Sequence, residues 1–293
     1  MYGATSDGGS GGDCAAKTVH CGVVYRLDRD GSETVLHRFT GADGKHPIGE
    51  LLPDAQGNLY GVTMGGGISC WRTLDGCGTV FKLAPDGTES VLFFFNDSAS
   101  EQYPHGRMAL DDDGALYGLV EGGGFWGEGE LFKLVPGHSF SAVHIFDSRT
   151  TDGTAPVGFV RLADGTFYGA TSAGGANGLG TVFKIAPDGT ESVLHSFAGG
   201  TADGQSPAGS VTLDGAGNIY GPTAQGGNCR VAQGCGVAYR IAPDGTESIL
   251  HHFRKRSGMT PAGPLAFDTF GNLRGATVAG GASNLGTAFR LSP

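Results

Sequence analysis

The chain has 293 residues, of which 55 are glycine and 13 proline, and its net charge is −10 from 19 Lys+Arg against 29 Asp+Glu. That balance argues against a nucleic-acid surface, which needs clustered cations; the one basic cluster, "RKR" at 254–256, reads as a solvated loop. No apolar run approaches the ~20 residues of a membrane helix, and "MYGATSDGGSGGD" has neither the basic start nor the apolar stretch of a signal peptide.

The first element, "MYGATSDGG", returns along the chain. It recurs as "LYGVTMGGG" near Tyr60, "LYGLVEGGG" near Tyr117, "FYGATSAGG" near Tyr168, "IYGPTAQGG" near Tyr220 and "LRGATVAGG" near Arg274, with a period of 51 to 58 residues. A glycine stretch that keeps one phase over the whole chain belongs to a scaffold. No helix pattern follows it whose N-terminus would hold a phosphate, so the glycines punctuate turns.

Each unit reads as four strands. The first is "PxGxLxxD", as in "PAGSVTLD" from Pro207, and a "DxxGN" turn leads to the second, "LYGxT". A long glycine-rich loop leads to the third, "GTVFKLAP", in which apolar and polar residues alternate. A "PDGTE" turn, with proline presetting φ and glycine accepting positive φ, leads to the fourth, "ESVLHSF". Four strands repeated at this spacing predict an all-β protein, a β-propeller.

Counting gives 22 strands, two short of six complete four-stranded blades. The expectation is one propeller domain of six blades, at approximately 1–39, 47–95, 104–146, 156–197, 207–253 and 261–293. The first blade lacks its innermost strand and the last its outermost, which offers a route to self-association. The alternative is five blades, with the strand at 261–268 completing the first.

The strand "PxG…D" followed by "GN-L-Y" resembles the NHL repeat. "GNLYGVTMGGG…GTVFKLAPDGTESVL" and "GVAYRIAPDGTESILHHF" resemble the GloVer tandem repeat more closely, over essentially the whole chain. The third unit departs from it, with "ELFKLVPGHSF" in place of the "PDGTE" turn. The resemblance implies a secreted bacterial propeller and supplies no catalytic residues. Six-bladed propellers include calcium-dependent lactonases and organophosphate hydrolases, but their calcium-ligand pattern has no definite match here.

Six cysteines fall as three close pairs, Cys14 with Cys21, Cys70 with Cys77 and Cys229 with Cys235, each in the loop between second and third strands. Zinc would need C-x₂-C spacing and converging pairs. Local disulfides are therefore expected, and with them an extracellular or periplasmic location.

Two connections per blade are tight turns. The disulfide-bearing loop and the linker into the next blade are long, and in an up-and-down blade they emerge on one face. Function concentrates on such loops. Recurrent residues, such as the histidine of "VLHSF" (His37, His144, His195, His251) and the aspartate of "DxxGN", read as scaffold.

The non-recurrent candidates are His46 and His105, beside prolines that lead into first strands, with Glu50 and Arg107 just inside as the remaining catalytic candidates. Asp43, Asp152 and Asp203 share the phase "DGxxP"; with Glu101 and His20 they form a candidate set for a divalent metal, calcium or zinc. Trp71, Trp126, Phe125 and Arg161 are candidates for a small-molecule or glycan ligand, the aromatics either stacking on it or packing against neighbouring loops. No G-x-S-x-G, H-E-x-x-H or Walker sequence occurs. Two functions follow: metal-assisted hydrolysis of small esters, lactones or phosphotriesters at the mouth of a central channel, or non-catalytic binding of glycans or proteins.

Overall fold

The computed structural model describes residues 1–9, 20–70, 75–96, 103–123, 127–137, 139–231 and 233–293, together forming six antiparallel sheets and, among those residues, no helix. The protein is an all-β, six-bladed β-propeller. Among the described residues no helix is long and apolar enough to cross a membrane. The chain divides into two compact units, 1–145 and 146–293, with three blades in each.

In the first unit, blade 1 is β1 (Tyr2–Thr5), β2 (Val23–Leu27) and β3 (Glu33–Arg38). Blade 2 is β4 (Lys45–Pro53), β5 (Leu59–Gly65), β6 (Thr79–Leu83) and β7 (Glu89–Phe94). Blade 3 is β8 (Pro104–Leu110), β9 (Leu116–Val120), β10 (Glu130–Val135) and β11 (Ser139–Ile145).

In the second unit, blade 4 is β12 (Gly153–Arg161), β13 (Phe167–Gly174), β14 (Thr181–Ile185) and β15 (Glu191–Ser196). Blade 5 has a split first strand, β16 (Gly204–Pro207) and β17 (Thr212–Leu213), both pairing with β18 (Ile219–Gly226), then β19 (Val237–Ile241) and β20 (Glu247–His252). Blade 6 is β21 (Met259–Phe267), β22 (Leu273–Ala279) and β23 (Thr287–Leu291). The split accounts for the single strand beyond the expected 22.

The repeated motifs have local causes. In "LYG", the glycine leaves room for the aromatic ring of the next strand: a Cβ at Gly61 would lie 2.4 Å from Phe81 Cζ, and at Gly169 2.3 Å from Phe183 Cζ. In "PxG", neighbouring first strands crowd each other, and a Cβ at Gly49 would lie 2.1 Å from Gly106 O. A register shift follows the proline in every complete first strand, as between Ile48 and Leu52.

The "DxxGN" aspartate folds its turn as an Asx motif. Asp54 Oδ1 accepts from the amides of Gln56 and Asn58 at 2.9 and 2.8 Å, and Oδ2 accepts from Tyr60 OH at 3.1 Å. Asp111 and Asp214 repeat this clasp on Tyr117 and Tyr220, whereas Asp268 takes Arg274 instead. This agrees with the structural role expected from their recurrence.

The cores lie between adjacent blades. Val24 and Phe39 of blade 1 pack on Leu59, Phe81 and Leu83 of blade 2. In the second unit, Ala170, Val182 and Phe197 pack on Ile219, Tyr239 and Ile241. The phenylalanine closing each fourth strand is fully buried (Phe95 0%, Phe197 0%), so its removal costs ~3–5 kcal/mol.

Candidate functional site

Two disulfides hold the elaborated face, Cys70–Cys77 and Cys229–Cys235, with Cα separations of 5.7 and 5.8 Å. Cys21 is also disulfide-bonded. Its expected partner Cys14 lies outside the described residues, as do Trp71, Trp126, Phe125 and Glu101. His105 pairs with Leu119 across β8 and β9, and nothing is described of its side chain.

His46 does not join the predicted aspartates: its Nδ1 donates to Ser6 O at 2.8 Å and lies 3.7 Å from Asp7 Oδ1. Its φ of 54° is shared by the residue preceding proline in the other blade entrances, Tyr103, Ala155, Ser206 and Thr260. The conformation therefore belongs to the repeat. It aims the backbone amide at the preceding blade, and His46 N donates to Cys21 O as Thr260 N donates to Cys235 O.

Glu50 and Arg107 do meet, Oε2 to Nε at 3.5 Å, as a half-exposed ion pair between β4 and β8. Arg161 lies over the ring of Phe167 at 6.0 Å, and His20 is exposed.

The "DGxxP" aspartates gather the recurrent histidines. His37 Nε2 lies 2.9 Å from Asp43 Oδ2, while Asp43 Oδ1 accepts from Thr40 N and Oγ1. Glu89, the first residue of the neighbouring blade's fourth strand, completes the group. In the second unit His195 lies 3.4 Å from Asp203 Oδ2, and Glu247 completes an equivalent group. Within each group the ligand atoms lie within 4.8 Å of one another, a set that could hold a metal ion.

The electrostatics favour a proton in these groups. Burial, reinforced by the Asp43 charge and opposed by His37, pushes the Glu89 carboxyl up to about 7. Burial and Asp203 raise Glu247 to about 7, and burial and Asp152 raise Glu191 to about 8. Burial also opposes ionisation of Asp43, but hydrogen bonds from His37 and Thr40 outweigh it and hold the carboxyl below its ordinary value. The groups of Asp43 and Asp203 thus set an aspartate held below its ordinary value beside a histidine and a glutamate raised above its own.

The junction between blades 2 and 3 fills the same positions with apolar residues. There Phe93 stands for the histidine and Phe140 for the glutamate, with ring centroids 4.7 Å apart and planes 14° from parallel. A position that takes either a stacked ring pair or a polar triad is an interblade contact first.

Sequence reasoning singled out the aspartates but not Glu89, Glu191 or Glu247. A signal was present: the glutamate of "GTESVL" recurs wherever the histidine precedes it by one blade, and both change to phenylalanine together.

Along the linkers that carry Asp43 and Asp203 lie two grooves at equivalent places. The first, about 400 Å³, is lined by Gly41, Lys45, Gly66, Ser69, Cys70 and Asp75 among others. The second, about 150 Å³, is lined by Gly200, Gln205, Gly226, Cys229 and Gln233 among others. One wall is the linker that the DGxxP aspartate organises; the other is the disulfide loop. Gly67 N donates to Gly41 O, and Gly227 N to Gly200 O, both at 2.8 Å. The polar side chains that line them differ: Lys45 and Asp75, paired Nζ to Oδ1 at 3.1 Å, in the first, and Gln205 and Gln233 in the second.

Six repeated sheets with elaborated, disulfide-pinned loops define the class, a tandem-repeat β-propeller. The model of the Gloeobacter/Verrucomicrobia repeat matches residues 1–158 and 103–293, and the chain belongs to that family. No curated protein matches its sequence.

Among solved structures it is similar to a gluconolactonase from Xanthomonas campestris, at 16% identity over 92% of this chain and 79% of that one, TM-score 0.52. It is also similar to the PQQ-bound aldose sugar dehydrogenase from Streptomyces coelicolor, at 14% identity over 83% and 80%, TM-score 0.50. An extracellular domain attributed to a hybrid two-component system of B. thetaiotaomicron aligns at 13% identity over 91% of this chain and 30% of that one, TM-score 0.58. At these identities the likeness is one of fold.

Proposed function

We propose that the chain is an extracellular or periplasmic module that binds small polar ligands, of the sugar or sugar-acid class, in the grooves between linker and disulfide loop. The observation that carries this reading is the repetition of the groove with constant glycine walls and changed polar side chains, Lys45 and Asp75 against Gln205 and Gln233. Rigid backbone walls with variable side chains suit recognition, since little order is lost on binding. The bound disulfides support an oxidising compartment. The sugar-handling neighbours support the ligand class. The test is titration calorimetry against neutral sugars, uronic acids and amino sugars, with Lys45→Ala and Gln205→Ala. Saturable binding weakened by either variant supports the reading; no binding across the panel defeats it.

A second reading, metal-assisted hydrolysis of lactones, esters or phosphotriesters, is favoured by the His–Asp–Glu donor sets. His37, Asp43 and Glu89, or His195, Asp203 and Glu247, would hold the ion. An ion there would polarise a carbonyl or phosphoryl oxygen. The raised glutamates, which hold their protons more tightly than free side chains, and the aspartates' existing hydrogen bonds weigh against it. Hydrolysis of glucono-δ-lactone that disappears on chelation would put this reading first.

A further inference from the structure

Charge is divided unevenly along the chain. Residues 248–293 carry five Lys+Arg and one acid, Asp268, although the whole chain stands at −10. Three of the five, Arg254, Lys255 and Arg256, lie together in the linker between β20 and β21. This linker aligns without a gap on the one that leads into blade 2. Where Thr40, Gly41, Ala42 and Asp43 stand there, Arg254, Lys255, Arg256 and Ser257 stand here. The aspartate that gathers a histidine at other junctions is therefore replaced by serine. Burial, reinforced by the charges of His252 and Arg254, holds the neighbouring His251 imidazole below its ordinary value.

The tribasic turn has a fixed backbone. Ser257 N and Gly258 N both donate to Arg254 O at 2.9 Å, which closes it. Gly281 N donates to Lys255 O at 2.9 Å, as Gly67 N does to Gly41 O and Gly227 N to Gly200 O beside the two grooves. Thr287 Oγ1 donates to Ser257 O at 2.9 Å. The turn is thus pinned to blade 6 while residues 254–257 stay exposed. Among the described residues none of its three cationic side chains meets a carboxylate, whereas Lys45, Arg107 and Arg274 each do. The disulfide loop of blade 5 is tied to the end of β20, with Asn228 N donating to His252 Nδ1 at 3.1 Å, and it presents exposed Arg230 beside Cys229.

We propose that the turn 254–257 is a cationic seat for an anionic saccharide, whose carboxylate or sulfate groups are held by Arg254, Lys255 and Arg256, with Arg230 at the rim. Each guanidinium offers a planar fork to an oxyanion, and a pinned backbone loses little order on binding. Side chains without carboxylate partners give up no ion pair to the ligand. The seat is short, and the other 247 residues carry fourteen more Asp+Glu than Lys+Arg. A long polyanion, such as a nucleic acid or an anionic bilayer, meets repulsion beyond it; a ligand with its charges on a few sugar rings does not. None of the three linker cations lines either groove. The saccharide class rests on the function proposed above, and the anion preference rests on this turn alone.

The experiment titrates the full chain with trigalacturonate, a sulfated disaccharide, neutral galactotriose, inorganic sulfate and an oligothymidylate. Three variants accompany it: Arg254→Thr/Lys255→Gly/Arg256→Ala, Arg256→Gln and Arg290→Ala. The triple variant copies the linker into blade 2, a sequence the chain already folds, and Arg256→Gln removes a single exposed charge. Arg290 is an exposed cation of the same blade outside the turn. At least one anionic sugar should bind about tenfold or more tightly than galactotriose, and its affinity should fall as NaCl rises from about 50 to about 200 mM. The triple variant should lose about tenfold in affinity, Arg256→Gln about threefold, and Arg290→Ala nothing measurable. Equal affinity for galactotriose, or unchanged affinity in the triple variant, would overturn the seat. Inorganic sulfate binding as tightly as the sugars, or oligothymidylate binding more tightly, would overturn the saccharide assignment. Anionic-sugar binding lost in Lys45→Ala or Gln205→Ala but kept in the triple variant defeats the seat and leaves the grooves; the reverse pattern defeats the grooves and keeps the seat.

Discussion

The first unit contains two junctions built on one backbone plan. Between blades 1 and 2, His37, Asp43 and Glu89 meet; between blades 2 and 3, Phe93 stacks on Phe140 in the equivalent places. Both flank the same kind of core, in which Phe39 packs edge-on to Phe81 and Phe95 edge-on to Phe132. The difference shows that the polar version is not required for the blades to pack. What the triad adds is a hold on the linker, because only the aspartate reaches the loop amides. A ring pair fills the same space without a carboxylate to accept from amides.

Four substitutions would break or sharpen that comparison, from the largest effect to the smallest. Phe140→Glu places half of a triad opposite Phe93 with no histidine to meet it. A buried carboxyl facing a ring should cost about 3 kcal/mol in chemical denaturation; a loss below 1 kcal/mol would mean the junction is wetter than described. Cys229→Ser with Cys235→Ser opens the wall of the second groove and should cost about 2 kcal/mol, with a larger proportional loss of ligand affinity at that groove. Equal stability and affinity would show that the loop holds its shape without the bond.

The double variant His37→Phe/Glu89→Phe should lie within about 1 kcal/mol of wild type, since a polar group replaced by well-packed apolar residues is often neutral. A cooperative loss of 3 kcal/mol or more would make the triad essential to folding. Arg107→Ala removes the half-exposed pair with Glu50 and should change stability by less than about 0.5 kcal/mol. A large fall in ligand affinity from this variant, with stability unchanged, would move the binding site to the first strands and away from the grooves.

The fold was legible because every blade repeats its own punctuation. The glycine after the tyrosine in "LYG" is demanded by the ring of the next strand, and "DxxGN" by the Asx clasp, so each motif carries a local reason that sequence exposes. The split first strand of blade 5 was not legible. There Gly209 leaves the ladder where it approaches Gly263, which would lie 2.6 Å from an added Cβ.

The site was legible in part. Asp43, Asp152 and Asp203 were separated from their neighbours by phase, and Glu50 and Arg107 do pair. The glutamates escaped notice because each is recurrent, and recurrence alone reads as scaffold. Their partner lies one blade earlier, and only the joint change to Phe93 and Phe140 exposes the relation. His46 stood out by not recurring, yet its backbone conformation recurs at every blade entrance, which sequence cannot display. Trp71, Trp126, Phe125 and Glu101 lie outside the described residues, so their proposed part in ligand binding stands as an expectation.

The central claim is that ligand sits in the grooves between linker and disulfide loop. Amide chemical-shift mapping during titration with the best sugar or sugar acid of the panel tests it directly. The account predicts shifts concentrated at Gly66, Gly67 and Ser69, at Gly226 and Gly227, or at both sets, with Glu50 and Arg107 unmoved. Shifts centred on Glu50, Arg107 and His46 with the groove glycines silent would contradict it.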